Sequence, residues 1–139
     1  MATELTGYLE ALDVQIRRKN TFEVEKRIAD DPDRIFSLGE RIKKVDKDIA
    51  ELRQKIKNCI SESKTTEIVE AATEYAKLPE TAKEEEKKNL LSKIVKAIKE
   101  YSLPIAGALQ LTKVLLEVSG IDVPVVSKII PPLEKMLGE

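Results

Sequence analysis

The side chains able to do chemistry in this 139-residue chain are one thiol, many carboxylates and a few basic runs. There is no histidine, which removes His-based catalytic triads and imidazole–metal sites. A catalytic thiol at Cys59 would need an activating imidazole or a similar base. A lone cysteine can form neither an internal disulfide nor a thiolate metal cluster, so Cys59 reads as a small buried hydrophobe. Glu84, Glu85 and Glu86 are consecutive, and consecutive residues of a helix point apart. A carboxylate di-metal bundle would add a Glu-x-x-His pair. The glycines are isolated, with no phosphate-cradling cluster. These residues therefore offer no catalytic group, no cofactor-binding group and no metal ligand, and the chain is expected not to be an enzyme.

The basic runs Arg17-Arg18-Lys19 and Lys43-Lys44 could contact phosphate. Glu23, Glu25, Asp46 and Asp48 are interspersed with them, and mixed charge of this kind is usually a solvated face. Lysine plus arginine is 24 and aspartate plus glutamate 25, a formal net charge of −1. A nucleic-acid binder normally carries a basic excess, and no aromatics alternate with the basic residues to stack bases. Both features argue against nucleic acid. Leu78-Pro79-Glu80-Thr81-Ala82 looks like a variant of the sortase sorting motif, but it lies mid-chain without an adjacent apolar span and basic tail. It reads better as a helix stop followed by a cap. Residues 1–20 are amphipathic and charged, with no apolar signal-peptide core. The longest uncharged run, 101–112, falls well short of the ~20 residues a membrane-spanning helix needs. A cytoplasmic location is expected, which suits the free thiol.

What must position these groups is helical throughout, because apolar residues recur at helical spacing and no segment alternates like a strand. The first segment, about 3–29, carries Leu5, Leu9, Leu12 and Ile16 in one stripe; Lys19 and Asn20 interrupt it, so a kink is expected there. Asp30-Asp31-Pro32-Asp33 then supplies a cap, a proline suited to the first helical position and an acidic first turn. The next helix, to about residue 60, holds the sharpest pattern. Ile35, Leu38, Ile42, Val45, Ile49, Leu52, Ile56 and Cys59 form an unbroken heptad, with isoleucine at every a position. In a parallel homodimer the flanking Arg41 would face Asp46 and Asp48 would face Arg53, each exposed pair contributing under ~1 kcal/mol. The short turn equally folds the two helices back on each other, and the intramolecular hairpin is the preferred reading.

The heptad stops after Cys59, so 61–66 reads as a joint. A third helix is expected over 66–77 and ends at Leu78-Pro79. A fourth, opened by a capping box at Thr81-x-x-Glu84, buries Leu90, Leu91, Ile94, Val95 and Ile98. Composition then changes: only 7 of the last 38 residues are charged, against 25 of the first 60. A fifth helix over 104–118 ends at Gly120. A sixth over 123–130 is broken by Pro131-Pro132, with one more turn over 133–137. This apolar pair is expected to be core.

The resulting expectation is an all-α fold. A long, coiled-coil-like antiparallel hairpin (1–62) packs with a bundle of three to four shorter helices (63–139), together one domain. The function expected is a non-enzymatic protein–protein interaction or oligomerisation module, with a protein partner or a second copy meeting the 35–59 seam. A membrane-active domain using 103–137 ranks second; membrane-interface aromatics are missing there. A small-ligand site in the core ranks last, since Gln110, Thr112 and Tyr101 are its only polar contributors.

Overall fold

The computed structural model describes residues 2–139, with side chains from Glu4 onward; Met1, the first residue of the expected 1–62 hairpin unit, lies outside the described residues. Six helices follow one another: α1 (Ala2–Ile28), α2 (Pro32–Asn58), α3 (Glu62–Lys77), α4 (Glu84–Lys99), α5 (Ile105–Val118) and α6 (Val123–Leu137). There is no strand among the described residues. The fold is an all-α bundle.

Local chemistry sets the boundaries. Asp31 caps α2, its carboxylate accepting a hydrogen bond from the Asp33 amide at 3.1 Å, with Pro32 at the first helical position. Proline is tolerated there because its missing N–H would have had no helical partner. Residues 29–31 are the whole connection between α1 and α2, so the two helices must lie antiparallel. Their cross-contacts run in opposite directions along the chain. Tyr8 meets Lys55, Lys19 pairs with Asp46, Phe22 lies under Arg41, and Glu25 pairs with Arg34. Gly120, at φ +86°, ends α5 in the left-handed region that glycine enters without a Cβ clash. The Gly120 amide donates to the Glu117 carbonyl and the Ile121 amide to Leu116, at 3.1 and 3.0 Å. Those two bonds form a Schellman cap, and the half-buried Ile121 supplies its apolar contact.

Four boundaries differ from the sequence reading. Helix α1 passes through Lys19 and Asn20 without a break, because Lys19 is held by Glu23 at 3.9 Å and Asp46 at 2.7 Å. The joint expected over 61–66 is mostly helix: α3 already starts at Glu62, with the Ser61 hydroxyl accepting from the Lys64 amide at 3.3 Å. Thr81 does not cap α4, whose N-cap is Lys83 with no side-chain cap bond. Helix α6 runs through Pro131 and Pro132. Ile129 before them and Leu133 after them are both fully buried, and that packing holds the helix across two missing backbone donors.

The core sits on α5, which packs against all five other helices. Leu111, Thr112, Val114, Leu115 and Leu116 are buried along it, with Ile94 and Ile98 of α4, Ile68 of α3, and Ile129 and Leu133 of α6 around them. The Thr112 hydroxyl is satisfied within its own helix, donating to the Ala108 carbonyl at 2.9 Å. Of the apolar pair expected to be core, α5 thus forms the interior of the bundle, while α6 buries only the face carrying Val126, Ile129 and Leu133 and leaves Val123 exposed.

Candidate functional site

The heptad seam lies along α2, facing α1 and, toward its end, α5. Leu38, Val45, Ile49 and Ile56 are buried; Ile35, Ile42, Leu52 and Cys59 are half-buried. Buried positions are d in the first half of the helix and a in the second. A helix of 3.6 residues per turn rotates ~20° per heptad relative to a fixed neighbour, which carries the contact line from one set to the other. Three of the four charges flanking the seam are engaged within the chain. Asp46 pairs with Lys19, and Arg53 of α2 pairs with Glu117 of α5 at 2.7 Å. Arg41 lies over Phe22, and Asp48 makes no ion pair among the described residues.

The hairpin outreaches the core. Between residues 23 and 44 no side chain joins the main apolar cluster, and Leu38 is the only buried residue. This arm is residues 23–28 of α1 and 32–44 of α2 with the 29–31 connection at its tip, or ~9 Å along α1 and ~20 Å along α2 at ~1.5 Å per residue. It is tied by Leu38 within and by the Glu25–Arg34 pair at 3.4 Å. It also carries the two most exposed large apolar side chains described, Ile28 at 74% and Phe36 at 71%, together with Val24. Ile28 and Phe36 leave their helices on the outer sides, away from the partner helix, as their positions relative to the buried stripe require.

At the base of the arm, Arg18, Phe22, Arg41, Lys44, Val45 and Asp48 line a groove of about 260 Å³. Both guanidinium carbons, of Arg18 and Arg41, lie 5.9 Å from the centre of the Phe22 ring, within cation–π reach. The neighbouring basic residues are neutralised: Arg17 by Asp13 at 3.0 Å, Lys19 by Asp46, and Lys43 by Glu40 at 3.4 Å. Arg18, Arg41 and Lys44 have no carboxylate partner among the described residues. Sequence reasoning named Arg18 and Lys44 but not Phe22 or Arg41 as part of one surface. They come together only across two antiparallel helices, and the basic runs alone gave no signal for the aromatic between them.

The remaining polar groups stay apart. Gln110 lines a shallow cleft between α1 and α5 with Thr6 and Asp13. Thr112 is buried in the core, and Tyr101 lies at the end of α4. No group of His, Cys, Asp or Glu side chains among the described residues is placed to hold a metal ion. No described helix is long and apolar enough to cross a membrane.

Burial pushes the Cys59 thiol above its ordinary range, with the charge of Glu4 adding to the shift. Burial does the same to the Tyr101 phenol, and the ion pair with Glu100 raises Lys64. All three groups hold their proton more tightly in the folded chain. Their contribution is complete below the unfolded-state values and is lost as the pH rises. The expected outcome is stability that is flat near neutrality and declines above about pH 8.5. At pH 8, Cys59 is expected to alkylate more slowly in the folded chain than in urea. Urea melts at a series of pH values check the first, and iodoacetamide labelling followed by mass checks the second; a thiol equally fast in both states would contradict the burial.

Compared with protein-family models, curated proteins and solved structures, this chain matches none.

Proposed function

We propose that this chain is a non-enzymatic helical interaction module whose contacting element is the arm of the α1–α2 hairpin. One observation carries the reading. The arm extends past the core and presents Ile28 and Phe36 to water, although both are large and apolar. Solvating a side chain of this size instead of covering it forgoes roughly 1.5–3 kcal/mol of transfer free energy. A second copy of the chain or another protein that covers them recovers it. The arm contributes only Leu38 to the buried set, so its length is not needed to complete the bundle.

The alternative, release of 103–137 into lipid, is less well supported. Leu111, Val114, Leu115, Leu116, Val126, Ile129 and Leu133 would first have to leave the core they fill.

Light scattering on the intact chain tests the self-association form of the reading. The mass is expected to rise above the 15.6 kDa of one chain with concentration in the micromolar range. Ile28→Glu with Phe36→Glu is expected to hold it at the single-chain value without lowering the melting temperature, since both side chains are exposed. A single-chain mass for the unmodified protein throughout that range removes self-association as its role.

A further inference from the structure

We propose that the groove at the base of the arm seats an acidic segment of a protein partner, its carboxylates pairing with Arg18, Arg41 and Lys44 beside the Phe22 ring. The inference rests on the interaction-module reading and adds the chemistry of the partner. Three cations line one groove of about 260 Å³, and none of them has a carboxylate partner among the described residues. Every other basic residue in the two runs is paired. Contact with the Phe22 ring orients Arg18 and Arg41 while leaving their N–H edges free to donate. A guanidinium so placed accepts a carboxylate bidentately, and its planar fork loses less freedom in doing so than a lysine would. The Phe22 ring and the buried Val45 add an apolar floor.

Two features favour a protein over a nucleic acid. Asp48 is half-buried in the same groove, makes no ion pair among the described residues, and would meet the uniform negative charge of a phosphate backbone at close range. A peptide can place a basic residue against Asp48 and carboxylates against the three cations. The ring of Phe22 is half-buried with guanidinium groups beside it, so it does not offer an open platform for bases. The formal net charge of −1 likewise gives no long-range field for a polyanion.

Fluorescence anisotropy on the full chain tests this. The probes are a short labelled peptide of repeating Glu-Glu-Leu, its Gln-Gln-Leu counterpart and a labelled oligouridine of similar length. The acidic peptide is expected to bind, to weaken at least about tenfold when sodium chloride is raised from low to high concentration, and to be the only probe bound. Arg18→Glu with Arg41→Glu is expected to lose at least about tenfold in affinity. Lys93→Glu with Lys96→Glu, the same charge change on exposed positions of α4, is expected to lose less than about twofold. Arg18→Gln with Arg41→Gln removes the charges without adding repulsion to Asp48 and must show the loss as well if the glutamate pair does not fold. No binding by the unmodified chain, equal loss in the α4 control, or tighter binding of oligouridine would each overturn the proposal. The result is separable from the light-scattering test. Absent peptide binding with self-association intact removes the groove alone, and peptide binding by a strictly single chain removes self-association alone.

Discussion

Truncating Leu115 to alanine is expected to destabilise the protein by about 2–5 kcal/mol and to lower its melting temperature by on the order of 10 °C. Leu115 is fully buried on α5, the helix that touches every other helix of the bundle. Removing its branched end leaves a cavity that α2, α3 and α6 cannot all close at once, since each is already packed on other residues of the same cluster. The effect should be global. Helices α1 and α2 share one apolar cluster with α3 to α6, so hairpin and bundle are expected to unfold together in one transition. Circular dichroism melts of the variant, with hydrogen exchange read separately for residues 2–58 and 62–137, check this. A variant in which the second half loses protection while the hairpin keeps it would show two independent units. Ile105→Ala on the same helix, where the side chain is 44% exposed, is expected to cost under about 1 kcal/mol.

Much of this architecture is written in local patterns. The Asp31-Pro32-Asp33 start and the Gly120 stop are each decided within a turn or two of chain, and each is found where its residues place it. The buried face of α4, from Leu90 to Ile98, follows from helical spacing alone. The departures have one physical cause, which is that tertiary packing outweighs a local signal. Lys19 looks like an interruption until Asp46 on the facing helix accepts its charge. Pro131 and Pro132 look like a break until Ile129 and Leu133 are both held in the core. Thr81 and Glu84 have the spacing of a capping box, yet the turn closed by the Ala82 amide on the Pro79 carbonyl, at 2.9 Å, leaves Lys83 at the cap.

The candidate sites were less legible for a related reason. A seam announces itself through period, so its residues could be named. A groove made by Arg18 and Phe22 from one helix and Arg41, Lys44 and Asp48 from another has no period. It becomes visible only when the hairpin register is known. Exposure of Ile28 and Phe36 is likewise a property of how far the hairpin outruns the core, which depends on where α5 stops covering it. The charges at Asp46 and Arg53 look available for a second chain in the sequence, but Lys19 and Glu117 occupy them in the fold. A partner of this protein is therefore expected to use the arm and its base, and not the paired charges farther along α2.

Excising one heptad from each side of the arm should separate folding from recognition. Residues 21–27 of α1 and 36–42 of α2 face each other in the hairpin register set by the Tyr8–Lys55 and Phe22–Arg41 contacts. Removing both blocks keeps the 29–31 connection and the Asp31 cap, preserves the seven-residue spacing of the seam, and shortens the hairpin by ~10 Å at ~1.5 Å per residue. The blocks contain only one buried residue, Leu38, and none of the buried members of the main cluster. The shortened chain is therefore expected to keep its helical signal and a cooperative melt. The loss of Leu38 is offset in part by the smaller ordering cost of a shorter hairpin, so the melting temperature should fall by less than about 10 °C. Phe36, Phe22 and Arg41 leave with the blocks, so self-association and acidic-peptide binding are both expected to fall below detection. Calorimetry, light scattering and anisotropy on one preparation read the three quantities side by side. A shortened chain that melts without cooperativity would make the arm part of the core, and one that folds and still binds would place recognition elsewhere on the bundle.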